Sequence, residues 1–421
     1  MNLDFFILFS SFIVIFCTTV YILAYRGHRQ NKSAAGLKYP GMTIIVPVWN
    51  EGKTIADTLD SLLKVKERYR GELEIIVIDD HSTDNSYSII KSYASANANL
   101  KCCKKDPMRN RGKSESLNQG IDLAGHDIVG CVDADSYPDP ESLNYIAEEF
   151  TDPRVGAVTT KLIVKKPKHI VEWFQQVEYI FSNFILMSFD ALDSIYITRG
   201  PLSLYRKDVM KKINGFLPAG QTPTEDMEIT FRIRKAGYSI RGSKKAKVYT
   251  SVMKTWKALF WQRMRWNRGT LINLWLHRDI FFDSRYGMLS MFILPTATLM
   301  ISMVGVIICY LLYTIGSGCI TQVQKLYWII STGYYPDFYQ IKEAVIGGDN
   351  SFAFHNMMLF FVVMGIYFMV NGFGFHESKE RFSMRYILFV ALTPVIYNPV
   401  IIFFWASAMI MHTSKIAVRW R

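Results

Sequence analysis

Four apolar runs constrain this chain before anything else. Phe5–Tyr25, Gly287–Ile315, Phe352–Phe375 and Ile387–Met411 each reach the roughly 20 residues that a helix needs to cross a bilayer. In lipid every backbone polar group must be bonded inside its own segment, so runs of this kind fold as helices. Between the first and second run lies a long stretch of mixed composition, which is free to build a water-facing domain. A secretory signal is the alternative for the first run. Against it, Asp4 stands where a basic region belongs, the run is long for a signal, and no small-residue cleavage site follows. Arg26, Arg29 and Lys32 come directly after the run, which places the N-terminus outside and the next segment in the cytoplasm.

The other runs follow the same charge rule with one open end. Residues 316–350 carry few basic residues and read as an outside loop, whereas His376–Arg385, with Lys379, Arg381 and Arg385, reads as inside. The last run is broken by Pro394 and Pro399. A single crossing leaves Lys415, Arg419 and Arg421 outside, against the rule; a re-entrant hairpin keeps them inside, but each half is too short to cross. Both topologies stay open. The formal net charge of +12 suits nucleic acid, anionic lipid or a phosphorylated substrate. With membrane segments present and no nucleic-acid-binding motif, lipid headgroups and a nucleotide are the expected partners, and no nucleic acid. Six cysteines, at 17, 102, 103, 131, 309 and 319, fit no zinc spacing; Cys17 and Cys309 lie in apolar runs and Cys131 in a buried strand, which reads as a reduced, cytosolic domain with no disulfide framework.

The middle stretch alternates strand and helix. Residues 42–48 are a β-branched run, after which Asn50 and Glu51 open a helix with Ile55, Leu59, Leu62 and Leu63 on one face. Glu74–Ile78 is a second strand ending in Asp79-Asp80, and Ser82-Thr83-Asp84 caps a helix near 84–96. Leu100–Lys104 is a third strand, and Gly112-Lys113-Ser114 opens a helix through Leu117 and Ile121. A buried strand from Ile128 ends in Asp133-Ala134-Asp135, followed by a helix near 140–150 and a strand at Val155–Val164. Such alternation with short loops predicts a mostly parallel sheet with helices on both faces.

In a parallel sheet the carboxyl ends of the strands gather at one edge, where ligands bind. Glu51, Asp79, Asp133 and Asp135 converge there without being near in sequence. On an extended chain residues i and i+2 point the same way, so Asp133 and Asp135 face one ligand together. Two hard carboxylates beside a diphosphate suit Mg²⁺ or Mn²⁺. The competing reading makes Asp-Ala-Asp the cap of the next helix, with Pro138 in its first turn.

Further along, residues 169–190 read as an aromatic-rich packed or membrane-surface helix. Gly200–Tyr205 marks a turn entering a strand, and Thr224-Glu225-Asp226 precedes a helix over 227–236 closed by Gly237. Lys254–Leu276 is amphipathic. Trp256, Leu259, Phe260, Met264, Leu271, Leu274 and Trp275 share one arc, while Gln262, Arg265, Trp266, Gly269 and Asn273 share another. That pattern predicts a helix lying in the membrane interface, with Arg263 in the apolar arc obliged to snorkel or pair.

Asp79-Asp80, Gly112-Lys113, Asp133-Ala-Asp135, Thr224-Glu225-Asp226 and Gln262-Arg263-Met264-Arg265-Trp266 stand in the order seen in membrane-integrated family 2 glycosyltransferases. From about residue 42 to 270 the chain resembles the poly-N-acetylglucosamine, hyaluronan, chitin and cellulose synthases. The resemblance implies a GT-A-like domain over 40–250, an N-terminal transmembrane helix over 1–28, an interfacial region over 251–285 and a transmembrane region over 286–421. It implies that Asp79 holds the base of a UDP-sugar, with Pro47 and Glu51 lining the pocket and Lys113 near the base and diphosphate. Asp133 contacts the UDP and, with Asp135, holds the metal. Asp226 is the general base, and Gln262, Arg265 and Trp266 close the site over the diphosphate and position the acceptor. The implied activity is inverting transfer from a UDP-sugar, UDP-N-acetylglucosamine or UDP-glucose, to a growing polysaccharide, with one transfer to a polyprenyl-phosphate or other lipid as the alternative. The implied setting is the plasma membrane, with the catalytic domain cytosolic and an accessory membrane subunit as a further partner. Two features depart from the pattern: Arg199 stands where hyaluronan synthases have a small residue, and only three apolar runs follow the catalytic stretch.

Overall fold

A computed structural model describes residues 3–27, 38–106, 108, 112–218, 220–332, 350–378 and 383–414. Strands are β1 (Met42–Val48), β2 (Leu73–Asp79), β3 (Leu100–Lys104), β4 (Ile128–Cys131), β5 (Ser136–Pro138), β6 (Val155–Val164), β7 (Ser203–Arg206) and β8 (Ser239–Thr250). They form one sheet in the order β3-β2-β1-β4-β7-β6-β8-β5. The half from β3 to β4 is parallel throughout. In the other half β7 runs antiparallel to β4 and β6, and β5 antiparallel to β8, with β6 and β8 parallel. The sheet is therefore mixed, with four of the seven pairings among the described strands parallel, as the mostly parallel expectation has it, and the antiparallel pairs confined to the second half. Neither β5 nor β8 is announced by a run of alternating apolar residues: β8 holds Arg241, Lys244, Lys245 and Lys247.

The apolar alternation of β1 explains both faces of the sheet. Ile44, Val46 and Val48 point into one core with Ile55, Leu59 and Leu62 of α2 (Ile55–Arg68), Ile90 of α3 (Ser86–Ala96) and Leu143 and Ile146 of α5 (Ser142–Glu149). Ile45 points into the opposite core, shared with Leu117 and Ile121 of α4 (Lys113–Leu123), Met187 of α6 (Ile170–Ala191), Val209 of α7 (Lys207–Lys212) and Ile229 and Ile233 of α8 (Glu225–Lys235).

Several boundaries move for local reasons. The helix expected from Asn50 begins at Ile55, because Asn50 has φ 56° and the Glu51 carbonyl accepts the first turn's N–H groups, from Thr54 at 3.0 Å and Ile55 at 2.9 Å. The helix expected from 84 begins at Ser86, whose N–H donates to the Asp84 carboxylate at 3.0 Å. Pro138 closes β5 instead of opening a helix, and the helix expected near 140 starts at Ser142. Glu225 and Asp226 lie inside the first turn of α8, not before it. The Gly237 expectation holds: its φ of 90° continues the chain where α8 ends.

Among the described residues four helices are long and apolar enough to cross a membrane, over Phe6–Gly27, Leu289–Ile307, Met358–Ser378 and Met384–Thr413. The first belongs to α1 (Leu3–Gly27). A π-helical turn at Leu289–Ile293 leads into α10 (Leu294–Thr332), so residues 316–332 are helical where the sequence reading expects a loop. The third belongs to α11 (Asn350–Ser378). In the fourth, α12 (Met384–Leu392) passes through a π-helical turn at Thr393–Tyr397 into α13 (Asn398–Thr413). Pro394 is taken up by that turn and Pro399 stands in the first turn of α13, so the chain forms one helical run with no hairpin. Arg29, Lys32, Lys379, Arg381, Lys415, Arg419 and Arg421 lie outside the described residues.

The chain divides into two compact units. One comprises 1–20 with 296–370; the other comprises 21–295 with 371–421 and contains the whole sheet. Within the second unit, α9 (Trp256–Leu276) packs along α13. Leu259 and Met264 of its apolar arc are buried against Tyr397, Phe404 and Ala408. The middle of that arc is thus covered by protein, which the sequence pattern assigned to lipid. Trp261 and Trp275 remain exposed.

Candidate active site

The loops after β1 and β2 are tied together. Asn50 and His81 both have positive φ, 56° and 59°, an uncommon conformation for residues with a side chain. The Asn50 N–H donates to Ser82 Oγ at 3.0 Å, and its Oδ1 accepts the Thr83 N–H at 2.8 Å. The Glu51 N–H donates to Ser86 Oγ at 2.8 Å, while its carboxylate accepts from Thr54 Oγ1 at 2.7 Å. Asp79 is 2% exposed. Its Oδ2 accepts the Ser82 N–H at 3.3 Å, and its Oδ1 has no partner among the described residues. Leaving a buried acceptor unmade costs on the order of 1–3 kcal/mol, so this atom marks a place where a ligand's N–H fits. Pro47 lies in β1 in register with Ile78.

The start of α4 is fixed by a buried ion pair. Lys105, 1% exposed, reaches Asp80 Oδ1 at 3.1 Å and the Gly112 carbonyl at 3.0 Å, and the Gly112 N–H donates to Asp80 Oδ2 at 2.8 Å. Gly112 has φ 122°, which a side chain rarely permits. The next residue, Lys113, extends into the middle of the site. Its Nζ is 2.6 Å from Asp133 Oδ1 and 3.0 Å from Glu225 Oε1. Burial alone lowers an amine's pKa, but Asp133 and Glu225 outweigh it and hold Lys113 charged, well above the ordinary range. Gly200 closes over this pair: a Cβ there would lie 3.1 Å from Lys113 Nζ and 3.2 Å from Asp133 Oδ2.

Asp133 and Asp135 are not on a strand. β4 ends at Cys131, and the two residues flank a turn closed by the Ser136 N–H bonding the Asp133 carbonyl at 3.0 Å. The extended i, i+2 argument therefore fails, although the carboxylates remain neighbours. Burial, then Asp133 and Glu51, push the Asp135 carboxyl up to about 6. Among the described residues no three His, Cys, Asp or Glu side chains gather as a metal cluster. Two carboxylates still suffice for a cation that takes its other ligands from phosphate and water. A cation bound there would offset both the burial and the charge repulsion that raise Asp135.

Asp226 is pushed up to about 6 by burial and then by neighbouring Glu225, against the pull of Lys113. Its Oδ1 accepts the Met227 N–H at 2.8 Å. Glu225 goes the other way. Burial works to raise it, but Lys113 and then Arg265 bring it below its ordinary value. The α9 helix is locked onto this turn. A Cβ on Gly269 would fall 2.2 Å from Thr224 Oγ1, so only glycine permits the approach, and Asn273 Nδ2 donates to the same Oγ1 at 2.9 Å. Arg265 is thereby near Glu225 and Asp226. Gln262 Oε1 is buried without a partner among the described residues. Trp266 carries the Arg263 guanidinium over its ring at 4.3 Å.

The structure thus brings together Lys113, Asp133, Asp135, Asp226 and Arg265, with Glu51 beside Asp135. Pro47 enters through the strand that leads to Glu51. Sequence reasoning passed over Glu225, although Thr-Glu-Asp was singled out, and gave Gly200 no role. The contact of Glu178 with Arg263 had no local signal. A cleft of about 350 Å³ lined by Lys38–Gly41 and Gly125–Asp127 lies at the opposite, amino-terminal edge of β1 and β4, away from these carboxylates.

Residues 40–269 match the model of a family described as Glycosyltransferase like family 2. The poly-beta-1,6-N-acetyl-D-glucosamine synthase of Staphylococcus epidermidis is 30% identical over 301 residues, 71% of each chain. The protein of the same name from Staphylococcus aureus is 32% identical over 231 residues, 54% of each chain. Among solved structures, the mannosyltransferase PcManGT from Pyrobaculum calidifontis, in complex with GDP-Man and Mn²⁺, superposes with a TM-score of 0.63 at 17% identity. That match covers 99% of this chain and 100% of the other, and it is a likeness of fold.

Proposed function

The chain belongs to the family 2 glycosyltransferases, and from that membership we propose that it transfers a sugar from a UDP-sugar to a growing polysaccharide at the membrane. UDP-N-acetylglucosamine is the first donor to test, since the relatives named above are poly-N-acetylglucosamine synthases, and UDP-glucose the second. One observation carries the reading. Lys113, Asp133, Asp135, Glu225 and Asp226 meet at one sheet edge, under a helix bearing Gln262 and Arg265.

Each group has a task that its environment suits. The unpartnered Asp79 Oδ1 fits the ring N–H of uracil, in a pocket bordered by Pro47 and Glu51. Asp133 and Asp135 hold Mg²⁺ or Mn²⁺, which supplies charge neutralisation for the departing diphosphate. Lys113 and Arg265 add fixed positive charge beside it. Asp226 receives the acceptor hydroxyl's proton. A carboxyl near 6 is ionised at neutral pH and is a stronger base than an ordinary aspartate. The acceptor oxygen bonds to the sugar's anomeric carbon as the bond to diphosphate breaks. Glu225 is held by Lys113, the site residues described above include no dedicated nucleophile, and a single displacement that inverts the anomeric centre is the reading this favours. Trp266 offers the acceptor sugar an aromatic face.

The four apolar helices anchor the enzyme, with residues 40–250 as the catalytic domain on the cytosolic side of the plasma membrane and 251–285 at its surface. The test is the purified full chain with Mg²⁺ or Mn²⁺ and a panel of labelled UDP-sugars, reading UDP release and product length. Long chains from UDP-N-acetylglucosamine support the proposal. A single sugar on a polyprenyl phosphate replaces the polymer by a lipid acceptor, and absence of UDP release from every donor overturns it.

A further inference from the structure

Arg263 is a buried cation on α9, 6% exposed, within one helical turn of Gln262, Arg265 and Trp266. A buried charge must be paired. Its partner is Glu178 of α6, whose Oε2 accepts Arg263 Nη2 at 2.8 Å. The same oxygen accepts the hydroxyl of Tyr397 at 2.5 Å. Tyr397 stands in the π-helical turn of the last apolar run and is 1% exposed. Its ring stacks on Phe174, with centroids 5.3 Å apart and planes 10° apart. A phenol buried that deeply among rings is aimed by its surroundings and does not wander. The π-helical turn gives Tyr397 this position: Pro394 and Pro399 cannot complete the regular ladder, and the wider turn re-aims the side chain.

We propose that Glu178 and Tyr397 are positioning residues that clamp Arg263 against one face of Trp266, so that the acceptor sugar meets only the other face. The inference rests on the acceptor role given to Trp266 in the proposed function. An indole has two faces. With a planar guanidinium fixed over one of them, the ring cannot turn about its bonds without breaking that stack, and the free face is presented in one orientation. Binding and alignment of the acceptor then depend on a helix distant in sequence, while nucleotide binding at Asp79, Asp133 and Asp135 does not.

Tyr397→Phe removes one hydroxyl and keeps the stack on Phe174, and Glu178→Gln keeps the shape while removing the charge. With the full chain in nanodiscs, both variants should raise the KM for an added oligosaccharide acceptor by about 3–10-fold. UDP affinity and the slow release of UDP to water should stay within twofold of wild type. Amide hydrogen exchange should quicken over 262–268 and stay unchanged over 225–235. A merely structural role predicts equal losses in UDP affinity and acceptor use, and that result overturns the clamp. Unchanged acceptor KM with unchanged exchange overturns it as well. If the wild type releases no UDP from any donor, the glycosyl-transfer reading has failed by itself. Exchange over 262–268 then decides the clamp: loosening confined to that segment supports it, and its absence overturns it.

Discussion

The two halves of the site are built differently. The half proposed to bind the nucleotide is made of loops that directly follow β1, β2 and β4, and its groups are held mostly by neighbours within one or two βα units: Asn50 by Ser82 and Thr83, Asp79 by Ser82, Gly112 by Asp80. The half proposed to hold the acceptor is made of α6, α8, α9 and the run from α12 to α13. There Gly269 meets Thr224, and Arg263 meets Glu178, which meets Tyr397, 219 residues further on. A site assembled from consecutive units is fixed once the sheet has formed. A site assembled from distant helices depends on how the last helix packs, so it is the half where substitutions far from the chemistry are felt.

The sharpest way to separate the halves is to empty the nucleotide half of its cation. Asp135→Ala, or a chelator with the wild type, should reduce turnover to background, because Asp135 is proposed to hold the metal and its charge is disfavoured by burial, Asp133 and Glu51 unless a bound cation adds to the pull of Lys113. Acceptor binding, read by retention of labelled oligosaccharide, should persist. Full turnover of Asp135→Ala in chelator would remove the metal from the account.

Asp226 stands at the border, and Asp226→Asn keeps its shape without its basicity. Turnover should fall by roughly 10²–10⁴-fold, the usual span of general-base catalysis, with UDP affinity largely kept. If UDP affinity collapses instead, Asp226 belongs to the nucleotide half. Trp266→Ala acts on the other side. Base–aromatic stacking is worth about 1–3 kcal/mol, and a similar value for a sugar corresponds to on the order of 10–100-fold in acceptor retention. Products should shorten while UDP binding persists. Products of unchanged length would place the acceptor elsewhere.

The same division decides what could be read from the chain alone. Strands β1, β2, β3 and β6, and the acidic residues at the ends of β1 and β2, were legible because apolar period, turn residues and strand ends all lie within a few residues of one another. β8 was illegible because its lysines and arginines serve contacts elsewhere: Arg241 approaches Asp190 at 3.3 Å, and Lys244 approaches Glu377 at 3.2 Å. The turn at Asp133–Asp135 was read as strand because three residues of Asp-Ala-Asp carry no signal separating a turn from an extended end. Arg263 was known to need a partner, but nothing nearby in sequence names Glu178. The prolines of the last run leave a single crossing and a hairpin both open in the sequence, whereas Pro394 sits in a π-helical turn and Pro399 in the first turn of α13, within one helical run.

The smallest expected effect concerns stability, and it tests whether Asp226 is strained in the way its role requires. Burial and Glu225 raise its carboxyl to about 6, above the roughly 3.9 of an exposed aspartate. The folded protein therefore holds this proton more tightly than the unfolded chain does. Its contribution to stability is fully present below the unfolded value and is lost as pH rises through the folded one. Between about pH 4 and 6 the wild type should lose stability from this group, and at neutral pH the ionised carboxylate is a net cost of folding. Asp226→Asn has no proton to lose. Its Tm should match the wild type near pH 4 and exceed it by about 2–5 °C at pH 7.5, even though the variant is nearly inactive. Activity of the wild type should fall about tenfold per unit below pH 6 as the base is protonated. A Tm difference that is flat from pH 4 to 7.5 would mean that Asp226 is not held in a raised state, and its pairing with the acceptor hydroxyl would then lose its physical basis.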